Sequence, residues 1–183
     1  GASAAMDERI ARACAYLLDA SLTTHGQFSA SGAPSGTADC MQGNLCEALV
    51  SLGCDDDEQA RLRLDLAYEW MARSLTGEGI NAADGPESHY YGYKCGPNFA
   101  CSVNNKLPCA WGAVKVMLAF GKLPPAKRTP RIRRAIKQGA DFLFSVPPEG
   151  AAYPTRKGDA PSREWWKFGF PSYYVTDLLQ LAE

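Results

Sequence analysis

Apolar residues recur every three or four positions along most of the chain, and this spacing predicts six helices. Stretches rich in Gly, Pro and Ser separate the apolar runs and favour loops. The predicted helices span about 6–22, 39–53, 55–75, 108–120, 130–145 and 172–182. We therefore expect an all-α protein in which extended segments are short and confined to the long loops.

Two of the predicted helices open with the same phrase. Cys40-Met41-Gln42-Gly43 and Cys109-Ala110-Trp111-Gly112 both read Cys-x-x-Gly, and each leads into an apolar run that ends in Gly. A repeat on this scale is typical of stacked helical hairpins, because each hairpin covers the apolar face of its neighbour. The three long loops then fall at one end of the stack, and the short turns fall at the other.

Alternate helices differ in composition. The second, fourth and sixth are richer in small and apolar residues, so we expect them to form an inner layer. The first, third and fifth carry more charge and should form an outer layer. In the third helix, Leu62, Leu66 and Trp70 are predicted to face inward, with Leu64 as a further candidate.

The composition is that of one ordinary globular domain spanning residues 1–183, with 46% hydrophobic and 21% charged residues. A net charge of -1 gives no electrostatic reason to expect nucleic acid as a partner. Basic residues gather between Lys127 and Lys137, where they fit the solvated face of a helix. No apolar run reaches the roughly 18 residues of a membrane span.

Seven cysteines cannot all pair within one chain. Cys14 and Cys46 lie in apolar helical patterns, which favours buried free thiols. We therefore expect a mostly reduced, cytoplasmic protein.

Several phrases resemble the squalene cyclase and prenyltransferase superfamily. They are Cys40-x-x-Gly43-Asn44, Gly77-Glu78-Gly79-Ile80, Pro108-Cys109-Ala110-Trp111-Gly112 and Phe168-Gly169-Phe170-Pro171-Ser172-Tyr173-Tyr174. The resemblance implies an α/α-toroid-like stack of hairpins, and six helices would make about half of a full toroid. A half-toroid leaves lateral helix faces open, so we expect a homo-oligomer or a segment of a longer chain.

The resemblance also implies a terpenoid-cyclase-like or prenyltransferase-like protein that binds an apolar or isoprenoid-like ligand. The cyclases' acidic motif, Asp-x-Asp-Asp, is absent. The run Asp55-Asp56-Asp57 lies at the short-turn end, where it is predicted to cap a helix. The alternative is a non-catalytic binding or interaction module whose cysteines are structural.

Candidate chemistry gathers where the long loops meet the inner helices. Cys40 and Cys109 both open helices, and a helix N-terminus favours a thiolate. Zinc binding by Asp39, Cys40, His89 and Cys109 is one hypothesis, because prenyltransferases hold zinc with these residue types near this end. Buried structural cysteines are a second, and a disulfide from Cys95 to Cys101 or Cys109 is a third.

Aromatic residues are concentrated in the same loops and helix starts. They either cover the end of the stack or line a concave pocket. The predicted ligand-binding residues are Cys40, Tyr91, Cys109, Trp111, Trp166 and Tyr173.

Overall fold

The computed structural model describes residues 2–78, 80, 93–158, 162–167, 176 and 178–182. Within these ranges the chain forms six helices, and the first five match the predicted ones to within a few residues. Their bounds are α1 Glu8–Ser21, α2 Asp39–Ser51, α3 Glu58–Thr76, α4 Ala110–Lys122, α5 Pro130–Leu143 and α6 Leu178–Ala182. Two short strands, β1 Cys95–Gly96 and β2 Ala100–Cys101, pair antiparallel inside a predicted long loop. The helical class is confirmed, and a ring of toroid type stays a prediction.

Helices α2 and α4 lie side by side and run in the same direction. Near their starts, a Cβ placed on Gly112 would lie 3.3 Å from the Cβ of Asp39. Near their ends, Lys122 Nζ lies 3.2 Å from Glu47 Oε1. The chain reverses direction between α2 and α3 and again between α4 and α5. The pairs α2–α3 and α4–α5 are therefore two hairpins stacked in the same orientation.

The second helices of the two hairpins, α3 and α5, also lie side by side. Lys127 Nζ, just before α5, is 3.9 Å from Asp65 Oδ1 on α3, and Gln138 Nε2 in α5 donates to the Leu75 carbonyl at 3.1 Å. From the first of these contacts to the second, the residue number increases in both helices, so α3 and α5 are also parallel. The basic segment thus faces acidic residues of α3, and the stacking predicted from the Cys-x-x-Gly repeat is observed for these two hairpins.

Alternate helices begin differently. The side chains of Asp7, Asp57 and Thr129 accept hydrogen bonds from the first turns of α1, α3 and α5. Helices α2 and α4 begin after Ala38 and Cys109 without a side-chain cap. Asp57 therefore caps a helix as predicted, whereas Asp39 is the first residue of α2 and does not cap it. The predicted division into an inner and an outer layer stays a prediction.

Helix α3 presents a different face to the core from the one predicted. Leu64 and Trp70 are buried, but Leu62 and Leu66 are 56% and 51% exposed. The buried face also carries Tyr68, whose hydroxyl donates to the Ala119 carbonyl of α4 at 3.0 Å. Leucines at every second position fit two faces of a helix, and the large side chains further along decide between them.

A disulfide joins Cys14 of α1 to Cys54, which follows α2. The expectation of a free Cys14 is therefore wrong. The bond closes a loop with a sequence separation of 40 residues. In the chain-entropy description, such a loop stabilises the fold by about 4 kcal/mol.

No helix among the described residues has the length and apolar character needed to cross a membrane.

The two hairpins approach each other closely at Gly43. A Cβ on this residue would lie 2.5 Å from the Lys115 carbonyl carbon and 2.6 Å from the Val116 nitrogen. Both atoms belong to the backbone of α4, so no side-chain rotation can relieve the clash. Gly43 is thus the position at which α2 and α4 touch through their main chains.

We predict that Gly43→Ala lowers the free energy of unfolding by about 2 kcal/mol or more, because the two helices must separate. Gly121→Ala is the matched control, since a Cβ at that helical position meets nothing within 4 Å. The control should be neutral or stabilising by up to about 1 kcal/mol, as expected from helix propensity. Urea unfolding followed by circular dichroism measures both changes. Equal effects of the two substitutions would contradict the close approach.

Candidate functional site

The structure describes four of the six predicted ligand-binding residues. Cys40 lies in the first turn of α2 and is buried, while Cys109 and Trp111 at the start of α4 are half-buried. Trp166 ends a short 3-10 turn and is 43% exposed. The remaining two, Tyr91 and Tyr173, lie outside the described residues, as does His89, which was a predicted zinc ligand.

Cys40 and Cys109 lie at the same end of the stack. A Cβ on Gly112 would lie 3.7 Å from the Cys40 nitrogen and 3.9 Å from the Cys109 Cβ. The parallel packing of α2 and α4 explains this neighbourhood, since it places the two helix starts together.

Two further cysteines join this end of the molecule through the β-hairpin. Cys95 of β1 is paired directly with Cys101 of β2. The bond from the Ser102 nitrogen to the Lys94 carbonyl, at 2.9 Å, flanks the pair. Cys95 and Cys101 therefore form a non-hydrogen-bonded pair, in which opposed side chains are closest. The sequence analysis left both residues out of the ligand-binding set.

Cys109 joins the same small sheet. The Cys101 nitrogen donates to Leu107 O at 3.1 Å, and the Cys109 nitrogen donates to Phe99 O at 2.9 Å. Ala100 and Pro108 form the bridge between these two bonds. Strand alternation then places the side chains of Cys95, Cys101 and Cys109 on one face. With Cys40 they make a thiol cluster, and none of the four is in a disulfide, so the predicted disulfides from Cys95 are wrong.

Asp39 lies beside this cluster and is 5% exposed. Its Oδ1 atom is buried and has no hydrogen-bond partner. Burial raises the pKa of this carboxyl to about 7, although hydrogen bonds with Cys95 and Ser74 act in the opposite direction. A buried acid that titrates near neutral pH is unusual, because an ionised carboxylate requires compensation that this site supplies only in part.

The thiols of the cluster differ in environment. Burial is the main cause that raises the pKa of Cys95 well above its ordinary value, and its Sγ lies 3.6 Å from Thr37 O. By contrast, a hydrogen bond from Cys109 is the main cause that lowers the pKa of Cys101 to about 6. The same bond raises the pKa of Cys109. The half-buried Cys101 is therefore more readily ionised than Cys95 or Cys109.

The zinc hypothesis gains no support from the geometry. In the part of the chain that the structure describes, no three His, Cys, Asp or Glu side chains are placed to hold a metal ion. Asp39, Cys40 and Cys109 are within this part, and they are adjacent without forming a ligand set.

Some of the aromatic residues serve packing. Phe99, Phe142, Tyr153 and Trp165 form a continuous row with ring centroids 5.6, 5.7 and 5.4 Å apart. The Tyr153 hydroxyl donates to the Leu143 carbonyl at 2.7 Å, which satisfies the polar end of this buried side chain. For these four rings the packing alternative holds.

A groove of about 540 Å³ runs along the flank of α4, between the last turn of α5 and α6. Its described apolar lining includes Val114, Met117, Leu118, Leu143 and Phe144. The polar lining consists of Glu47, Lys122 and Gln180. Neither Cys40, Cys109, Trp111 nor Trp166 lines it. The hydrophobic pattern could not reveal this groove, because its residues read as ordinary apolar helix positions.

Comparisons with known proteins found no matching family model, curated protein or solved structure.

The buried carboxyl gives a pH prediction. Because the folded pKa of Asp39 lies near 7 and the unfolded one near 3.8, the folded state keeps a proton that the unfolded chain releases. Stability is therefore lost as the pH rises from about 4 through 7. Asp39→Asn removes this dependence, so its stability relative to the natural chain should rise by roughly 2–4 kcal/mol between pH 4 and pH 8.

Urea unfolding at both pH values measures the difference, and Asp141→Asn, at an exposed helical aspartate, is the control. A stability difference between Asp39→Asn and the natural chain that is the same at pH 4 and pH 8 would refute the buried titration.

Proposed function

We propose that the chain is a binding protein that holds a small apolar, isoprenoid-like molecule in the groove along α4. The groove volume of about 540 Å³ supports this proposal, since it falls within the usual range for small-molecule sites. Membership of the squalene cyclase and prenyltransferase superfamily is part of the proposal. Its support is the Cys-x-x-Gly phrase together with the stacked hairpins, and a likeness of fold alone does not fix an activity.

The lining suits a molecule with an apolar body and a polar end. Met117, Leu118 and Leu143 would contact the hydrocarbon, and Phe144 would cover it from the rim. Gln180, whose Oε1 accepts from Lys115 Nζ at 2.5 Å, would lie beside the polar end of the molecule. This position differs from the loop-end pocket predicted from the sequence.

We propose binding and not turnover. The carboxylate in the groove, Glu47, pairs with Lys122 at 3.2 Å and accepts from the Ser51 hydroxyl at 2.7 Å. Because both partners bind the same carboxylate oxygen, Glu47 serves to join α2 to the end of α4 at the wall of the groove.

Farnesol is the probe for the binding proposal. At a concentration ten times its dissociation constant, it should stabilise the natural chain by about 1.4 kcal/mol. For a domain of this size, that corresponds to a rise in Tm of roughly 3–6 °C. Gly121→Leu should abolish the rise, because Gly121 lines the groove and a side chain there points into open space.

Phe144→Ala should weaken the same response, and Tyr16→Ala is its matched control. The two aromatic residues are 71% and 70% exposed, but only Phe144 lines the groove. An unchanged farnesol response in Gly121→Leu would exclude the groove as the site.

Self-association through the same groove is the second candidate, favoured by the exposure of Phe144 at its rim. In that case, light scattering during size-exclusion chromatography should give a mass above that of the monomer, increasing with concentration. Phe144→Asp should restore the monomer, because a charge would then be buried between copies. A monomer at every concentration would contradict an oligomer and leave the groove free for the small ligand.

A further inference from the structure

A second pocket, of about 330 Å³, opens between α1 and the start of α3. Both cysteines of the Cys14–Cys54 disulfide are part of its lining. They are only 5% and 4% exposed, so the pocket is the route by which a small molecule reaches the bond. The volume holds about ten water molecules, which leaves room for a reagent of a few heavy atoms.

The side chains around the disulfide are small. Leu18 is the one large apolar side chain among the described lining residues, and the alanines of the lining are Ala4, Ala5, Ala11, Ala15 and Ala60. Alanine has no side-chain atom beyond Cβ, so none of these residues can fold over the sulfurs. The disulfide is therefore left uncovered on the side that faces the pocket.

Carboxylates give the pocket a negative charge. Asp56 and Asp57 line it, and no basic side chain does so among the described residues. Asp57 accepts from the Ala60 nitrogen at 2.9 Å, and the start of α3 offsets part of its charge. A Cβ on Gly53 would lie 3.2 Å from Asp56 Oδ2, so the Asp56 carboxylate lies beside the residue that precedes Cys54. A reagent with a further negative charge is disfavoured here, and one with an ammonium group is favoured.

We propose that the Cys14–Cys54 disulfide is a reversible modification site for low-molecular-weight aminothiols, which enter through this pocket. The thiolate of the aminothiol attacks one sulfur of the pair. The Cys14–Cys54 bond breaks, a mixed disulfide forms at the attacked cysteine, and the other cysteine leaves as a thiolate that takes up a proton from water.

A second aminothiol completes the reduction. Its thiolate attacks the small-molecule sulfur of the mixed disulfide, so the attacked cysteine also leaves as a thiolate and takes up a proton. The protein disulfide gains two electrons, and two aminothiols are oxidised to one small disulfide. The reverse sequence, with that small disulfide as the oxidant, restores the bond between the two cysteines.

This inference does not depend on the groove along α4 or on its ligand. It assigns a reaction to the covalent bond that joins α1 to the segment after α2.

The first test compares thiols of different charge. Cysteamine, mercaptoethanol and mercaptoethanesulfonate share a two-carbon chain and carry an ammonium, a hydroxyl and a sulfonate group. The rate constant of each with the protein disulfide, divided by its rate constant with hydroxyethyl disulfide, removes the difference in intrinsic nucleophilicity. At low ionic strength the ratio for cysteamine should exceed that for the sulfonate about tenfold. In about 1 M salt the preference should largely disappear, because the Debye length falls to about 3 Å.

Asp56→Asn tests the source of this preference. It should reduce the preference for cysteamine to about threefold, because one of the two carboxylates is lost. Asp141→Asn, at an exposed aspartate of α5, is the matched control and should keep the full preference. An equal preference in the two variants, or a faster reaction of the sulfonate with the natural chain, would overturn the proposal.

The second test blocks the pocket. Ala13 and Ala15 are both exposed on α1, but only Ala15 lines the pocket. Leucine is a good helix former, so Ala13→Leu and Ala15→Leu should both stay folded. Ala15→Leu should slow the reaction with cysteamine about tenfold because it hinders access to the sulfurs, whereas Ala13→Leu should leave the rate unchanged. Equal rates in the two variants would exclude the pocket as the route.

The third test separates attack on the folded chain from attack after unfolding. In urea well below the unfolding midpoint, the rate with cysteamine should change little. A rate that rises with the full slope of equilibrium unfolding would mean that the bond reacts only in the unfolded chain, and the proposal would be wrong. Peptide mapping by mass spectrometry should place the mixed disulfide on Cys14 or Cys54, and cystamine should restore their bond. Mixed disulfides confined to other cysteines would also overturn it.

Discussion

The main-chain contact of α2 with α4 at Gly43 is the constraint from which the rest of the arrangement follows. With no side chain between them at this point, the two parallel helices are held in one register, and the helices that follow them lie in the same order. The contact also brings the two helix starts together at the loop end. The neighbourhood of Asp39, Cys40 and Cys109 is thus a result of helix packing, whatever chemistry it performs.

One buried amide connects this pair of helices to the first loop. Gln42 Nε2 donates to Gly26 O at 2.7 Å and to Ala67 O at 3.3 Å, and its oxygen accepts from the Phe28 nitrogen at 2.7 Å. These three bonds satisfy main-chain groups that burial would otherwise leave unpaired. Asp39, three residues earlier, contrasts with Gln42, since one of its oxygens has no such partner. Two polar residues of the same helix thus have different effects. Gln42 fixes the first loop and α3 against α2, whereas Asp39 is a buried group that titrates.

Periodicity and end signals were enough to predict five helices, the stacking of two hairpins and the capping role of Asp57, because those features depend on local sequence. The sequence did not reveal the inward face of α3, where Leu62, Leu64 and Leu66 fit two faces equally well. The Cys14–Cys54 bond joins residues that are distant in sequence, and no local pattern indicates it. For the candidate site, the shared end of Cys40 and Cys109 followed from the repeat. The pairing of Cys95 with Cys101, and the place of Cys109 on the same face, depend on a two-residue strand too short to leave a periodic signal.

Helix α1 is attached to the stack at several points. Besides its disulfide, α1 is held by the bond from the Ala4 nitrogen to Leu52 O at 2.8 Å and by the ion pair of Arg63 with Asp19 at 2.6 Å. Because these attachments are spread from the segment before α1 to its last turn, the helix opens only when they are lost together. Its amide hydrogens should therefore exchange slowly with solvent.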